Sequence, residues 1–216
     1  MKKKFYLIFL LISFLLIGCG GDIKISVYTR DLSDVTAAKE SVIYTNVNMI
    51  VESLDDENDI EFLRSNLNGF SNEQIVQYNY SSSLSFDIKV PIVTDEENID
   101  YSKDLLMLIC EKNNGKTDCY LKYNKVLISK IQNYIYDAHY QSIDLSKFKL
   151  KLEINNDERK NIFFTSYSSY VNGKSYPFTH EEFLSERDRI SLEVSEIFAS
   201  YISNLYESNY PLFSIK

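Results

Sequence analysis

The sequence predicts an α+β domain, with a mainly antiparallel sheet of about eight strands, about three helices, and a long C-terminal helix packed on the sheet. Three observations point there. Several segments alternate apolar and polar residues, most cleanly Phe148, Leu150, Leu152 and Ile154 against Lys149, Lys151, Glu153 and Asn155. Two Asn-Gly dipeptides, Asn114-Gly115 and Asn172-Gly173, sit between such segments, and both residue types accept the positive φ of a two-residue hairpin. Other stretches place apolar residues at helical spacing, and hairpins together with short connections favour antiparallel pairing.

In chain order, Ile23, Ile25 and Val27 alternate with polar neighbours as a first strand. Residues 41–53 are rich in Val, Ile, Thr and Tyr without Gly or Pro, and read as a second. Residues 55–68 place Ile60, Leu63 and Leu67 on one helical face, with acids at the start and Gly69 as a stop. From Val76 to Ile92 the alternation resumes, as one long strand or two joined at Ser81-Ser82-Ser83, with Pro91 marking an edge or exit. The Asn114-Gly115 hairpin follows, then an amphipathic helix over 125–141 and the strand containing Phe148 to Ile154. Residues 161–171 form another strand, turned at Asn172-Gly173. Thr179 with Glu182 reads as a capping box opening a last helix through Phe183, Leu184, Ile190, Val194, Ile197, Phe198, Ile202 and Leu205, ending before Pro211.

The chain has 216 residues, 44% hydrophobic and 25% charged, with net charge -8. That is room for one compact domain, and the apolar fraction excludes a disordered chain. The acidic balance argues against a nucleic-acid partner, which requires Lys and Arg to displace phosphate counterions.

Met1-Lys2-Lys3-Lys4 is a basic start, and the following run from Phe5 to Ile17 holds only Ser13 as a polar residue. This run is shorter than the roughly 20 apolar residues that span a bilayer, and it fits the hydrophobic region of a signal peptide. Leu16-Ile17-Gly18-Cys19 then resembles the lipobox of bacterial lipoproteins. The resemblance implies removal of residues 1–18, diacylglycerol on Cys19, and acylation of the new amine. Such chains anchor strongly, because each buried CH₂ contributes about 0.8 kcal/mol. The expected layout is a signal peptide over 1–18, a lipidated Cys19 on a short leash through residue 22, and one domain over 23–216. The mature chain would carry 20 basic and 31 acidic side chains, a net charge of -11, so lipid rather than a basic face must hold it at the membrane. The location implied is the cell envelope outside the cytoplasm, on the outer membrane where a cell has two.

Centring a hairpin on Asn114-Gly115 sets Cys110 opposite Cys119 at a non-hydrogen-bonded pair, with Cα atoms about 4.5 Å apart. That lies at the short edge of disulfide geometry. A bridge there suits an oxidising compartment and would stabilise by about 2 kcal/mol. The alternatives are two buried free thiols or half of a metal site. A metal has little support, since there is no second Cys pair and both His are remote.

No catalytic constellation stands out. His139 falls off the apolar stripe of the middle helix, and His180 falls in the first turn of the last one; both read as inert. There is no Gly-x-Ser-x-Gly elbow and no Gly-rich phosphate loop. The acids of Asp55 to Asp59 lack the glycine and closing glutamate of a calcium loop. The 17 Tyr, including Tyr78, Tyr80, Tyr167 and Tyr170, fit half-buried strand positions and would also suit a contact surface. The chain resembles small uncharacterised bacterial lipoproteins. The expectation is a non-catalytic binding domain with no cofactor, held on the membrane through Cys19 and facing an envelope protein; an envelope hydrolase, or a surface antigen or exclusion lipoprotein, is the alternative.

Overall fold

The computed structural model describes residues 19–216, so the expected signal segment 1–18 lies outside the described residues. The strands are β1 (Cys19–Tyr28), β2 (Ile43–Glu52), β3 (Ser71–Tyr78), β4 (Ser81–Val93), β5 (Leu106–Asn113), β6 (Lys116–Tyr123), β7 (Ile143–Asn155), β8 (Ile162–Val171), β9 (Lys174–Leu184), β10 (Arg189–Val194) and β11 (Phe213–Ile215). The helices are α1 (Thr29–Thr36), α2 (Glu57–Asn66), α3 (Lys125–His139) and α4 (Glu196–Leu205).

The expected mainly antiparallel α+β sheet of about eight strands is corrected on three counts. All eleven strands belong to one sheet. The sheet is mixed, because β1 runs parallel to β7 and β4 parallel to β5. The long last helix is absent: β9 and β10 occupy most of its span, and only Glu196–Leu205 is helical. The physical reasons are specific. Ile190, Leu192 and Val194 alternate inward as strand residues, a period that coincides with parts of a helical pattern. Thr179 and Glu182 cap nothing, because β9 pairs with β8 and sets them opposite Tyr167 and Phe164. The β1–β7 pairing joins segments too far apart in sequence for any local pattern to reveal.

Several expected elements are present. The Asn114-Gly115 and Asn172-Gly173 turns have positive φ at both residues. α2 begins with a reciprocal box in which Asp56 caps the helix and Asp59 reaches back to the Asp56 amide. Pro91 lies within β4 rather than at its exit, in the gap between the stretch of β4 paired with β3 and the stretch paired with β5.

The pairing path closes on itself. It runs β10-β7-β1-β2-β4-β5-β6-β11-β8, and β8 pairs again with β10. β8 achieves this by serving two strands along one edge: residues 164–166 pair with β11 and residues 169–171 with β10. Between them Ser168 takes φ 43°, at a register shift against β9. Such a kink is how a strand turns a corner between two sheet directions.

One face of the ring is apolar. Ile23, Met49, Phe86, Leu108, Leu121, Phe213, Phe164 and Leu192 all belong to a single buried cluster. At the Cys19 end, α2 and α3 cover it with Leu63, Ile128 and Ile131 against Val51 and Phe148. At the Tyr28 end, α1 buries Leu32 and Val35. Gly21 is required in β1 by close approach, since a Cβ there would lie 1.9 Å from the Ile50 carbonyl oxygen. Gly20 and Gly21 are therefore buried strand rather than a free leash.

Asn156, 1% exposed, ties three connections together. Its Nδ2 donates to the carbonyls of Lys160, Leu184 and Ser185 at 2.9, 3.0 and 3.0 Å. Its Oδ1 accepts from the Thr29 hydroxyl and the Glu158 amide. Its backbone pairs with Asp188 and Arg187. The start of α1, the β7–β8 loop and the β9–β10 loop thus share one side chain. Asn156→Ala would leave these buried groups unpaired and should destabilise the fold by about 3 kcal/mol. Urea unfolding checks this; a variant within about 0.5 kcal/mol of the parent would remove Asn156 from this role.

Candidate functional site

A concavity of about 600 Å³ lies at the Tyr28 end of the sheet. Its walls come from α1 and the turn after it, the β5–β6 hairpin, the β7–β8 loop and the end of β11. These segments meet because β1 delivers α1 to that end and β5, parallel to β4, carries its hairpin tip there. Six cations line it: Arg30, Lys39, Lys112, Arg159, Lys160 and Lys216.

Three of them are engaged. Arg30 donates to the Asp157 carbonyl at 2.8 Å, Lys39 meets Asp34 at 2.7 Å, and Lys160 meets Glu158 at 3.1 Å. Among the described residues, no carboxylate stands within ion-pair distance of Lys112, Arg159 or Lys216. Asp157 has a second task, accepting the Arg30 amide at 2.9 Å at the start of α1, where Tyr28 supplies no side-chain cap. Burial, followed by repulsion from Asp157 and Asp34, raises the Asp31 carboxyl above its ordinary value.

A second cavity of about 430 Å³ is aromatic and lies between the β8–β9 kink and α4. Tyr167, Pro177, Phe178, Ile197, Phe198, Tyr201 and Tyr210 line it, and Phe178 and Ile197 are 83% and 84% exposed. Of the singled-out tyrosines, Tyr167 lies here, and its hydroxyl is 3.3 Å from that of Ser214. Tyr78 instead donates to Asp22 at 2.7 Å, and burial followed by that bond raises its hydroxyl strongly. Tyr80 is fully exposed in the β3–β4 turn.

Cys110 and Cys119 are register partners, as the turn position predicts. Both are fully buried as free thiols, with sulfurs 2.9 Å apart. Burial first, then the neighbouring Cys110 thiol, pushes Cys119 well above the ordinary thiol range. Cys19 opens β1 directly, paired with Ile143 of β7.

The two histidines sit apart. His139 Nε2 is 2.8 Å from Asp59 Oδ1, joining the end of α3 to the start of α2. Tyr134 also donates to Asp59 at 3.1 Å, and burial followed by this bond pushes its hydroxyl up to about 12. His180 lies mid-strand in β9, not in a helix, stacked on Tyr176 with centroids 3.8 Å apart and 3.3 Å from Glu182. Among the described residues no group of three or more His, Cys, Asp or Glu could hold a metal ion, and no helix is long and apolar enough to cross a membrane.

A family profile described as a domain of unknown function, DUF7424, matches residues 21–216. The chain belongs to the DUF7424 family. No curated protein and no solved structure matches it. The match begins two residues after Cys19 and covers all four helices and β2 through β11, so the basic concavity and the aromatic groove both lie within the DUF7424 domain. Sequence reasoning missed the concavity because its cations come from separate segments. The one local trace is the adjacent pair Arg159-Lys160 in the β7–β8 loop.

In DUF7424 protein recovered from an oxidising compartment, Cys110 and Cys119 are expected to be bridged. The intact mass should be lower by two hydrogens and return on reduction, and Cys110→Ser should abolish the difference. Once reduced but still folded, neither buried thiol should alkylate quickly, since the thiolate is the reactive form. Fully reduced, readily alkylated thiols would exclude the bridge.

Proposed function

We propose that this DUF7424 protein is a cell-envelope lipoprotein, anchored through Cys19, whose domain binds a partner without catalysing a reaction. One geometric observation carries the reading. β1 begins at Cys19 and ends at Tyr28, where α1 starts. Ten extended residues span roughly 30 Å, so the basic concavity is held that far from the anchoring residue.

The lipobox supports the anchor, and the strand supports a fixed orientation. Gly20 is buried, and its amide donates to Glu52 at 2.9 Å. Little slack remains between lipid and domain, and the domain stands with its Tyr28 end away from the lipid. The charge distribution agrees with this orientation. An acidic chain whose basic concavity is turned from its own anchor gains nothing there from the anionic headgroups beneath it.

The test is lipidation in a bacterial host supplied with labelled palmitate. The parent should incorporate label and sediment with membranes, requiring detergent for release. Cys19→Ala should lose the label and leave the membrane fraction. An unlabelled, soluble parent chain would overturn the anchor.

A further inference from the structure

The concavity at the Tyr28 end has a charge pattern that points to its ligand. Its six side-chain cations face the side-chain carboxylates of Asp34 and Glu158, each already matched by a lysine, and the α-carboxylate of Lys216. Lys112 comes from the β5–β6 hairpin, Arg159 from the β7–β8 loop and Lys216 from the end of β11. All three are exposed, and among the described residues none has a carboxylate partner. The Thr117 hydroxyl on the same wall has no hydrogen-bond partner among the described residues either. The surplus is positive in a chain whose net charge is -8.

We infer that this concavity is a binding site for a polyanion carrying several phosphate groups. Three observations support this class. The unpaired cations come from three separate segments around a cavity of about 600 Å³, so several charges of one ligand can be matched together, which one small anion cannot do. Arg159 offers a planar fork suited to two phosphate oxygens, and Lys112 and Lys216 offer point charges. The Thr117 hydroxyl can donate to a further oxygen. The ligand class deepens the reading of this domain as a binding module and needs no anchor. The choice of source alone rests on the proposed anchor: with lipid on Cys19 the site faces away from the membrane, and the source it fits is a soluble phosphate polymer rather than membrane headgroups.

The probe is sodium tripolyphosphate, titrated by calorimetry into the full chain solubilised in non-ionic detergent. Binding should weaken by about fivefold or more between about 50 and about 200 mM salt, as expected when several ionic contacts form together. Inorganic phosphate should bind about tenfold or more weakly than tripolyphosphate. Lys112→Ala with Arg159→Ala should cost about tenfold in affinity or more, equal to about 1.4 kcal/mol. Both side chains are exposed, so the unfolding temperature should be unchanged, and this is measured alongside. Arg187→Ala with Arg189→Ala, outside the concavity, should leave binding intact.

No heat of binding to tripolyphosphate, or equal affinity in the Lys112/Arg159 variant, would overturn the proposal, as would equal loss in the Arg187/Arg189 variant. These outcomes leave the lipidation experiment untouched, so failure of the ligand class and failure of the anchor are told apart.

Discussion

The closure of the sheet through β8 is the constraint on which the rest of the structure depends. A strand edge with unpaired amides and carbonyls is costly to bury and hazardous to expose. Here β8 kinks at Ser168 and offers one edge to both β11 and β10, so the path of hydrogen bonds returns on itself. β11 has only three residues, yet it bridges β6 and β8, with Phe213 set against Cys119 on one side and Ser166 on the other. Closure turns one face of nine strands toward a common interior. That is why residues from Ile23 to Ile215 belong to one apolar cluster.

The ends of this ring are managed differently. At the Cys19 end, α2 and α3 bring Leu63, Ile128 and Ile131 over the core, and Asp59 is shared between the α2 box, His139 and Tyr134. That arrangement gives His139 a structural post. At the Tyr28 end a single short helix suffices, because polar groups from distant loops complete it. Asp157 takes the Arg30 amide, and Asn156 takes Thr29 while holding the β9–β10 loop. The same β7–β8 loop that completes α1 also carries Arg159 and Lys160 into the concavity. The groups that complete α1 and two cations of the concavity thus share the stretch 156–160.

The fold also separates two kinds of surface. The cationic concavity is polar and lies at one end of the ring, whereas the aromatic groove lies beside the β8–β9 kink against α4. The groove is a direct consequence of closure. The shift that lets β8 change partners displaces Pro177 and Phe178 from regular pairing, and α4 packs near enough for the Ser168 and Ser195 hydroxyls to lie 2.9 Å apart. Tyr167, read from the sequence as an ordinary strand tyrosine, becomes part of that groove through its position next to the kink.

The sequence by itself determined whatever depends on near neighbours. The Asn114-Gly115 turn sets the Cys110–Cys119 register, because a two-residue turn with positive φ at both positions fixes the pairing of its strands. Period-two patterns located β1, β4 and β7, β-rich composition without Gly or Pro located β2, and the acids and Gly69 bounded α2, because capping and dipole effects act within one turn. The proposed lipobox is likewise a local pattern. Tertiary structure alone decided the parallel β1–β7 ladder, the closure through β8, and the strand identity of residues 179–184 and 189–194. There, backbone pairing with β7 and β8 outweighed a helical spacing that Leu192 never matched. α1 has no local cap because the acceptor for its Arg30 amide is Asp157 and that for its Thr29 hydroxyl is Asn156, more than a hundred residues away. The six cations of the concavity were illegible for the same reason: their segments are distant in sequence and meet only when the ring closes.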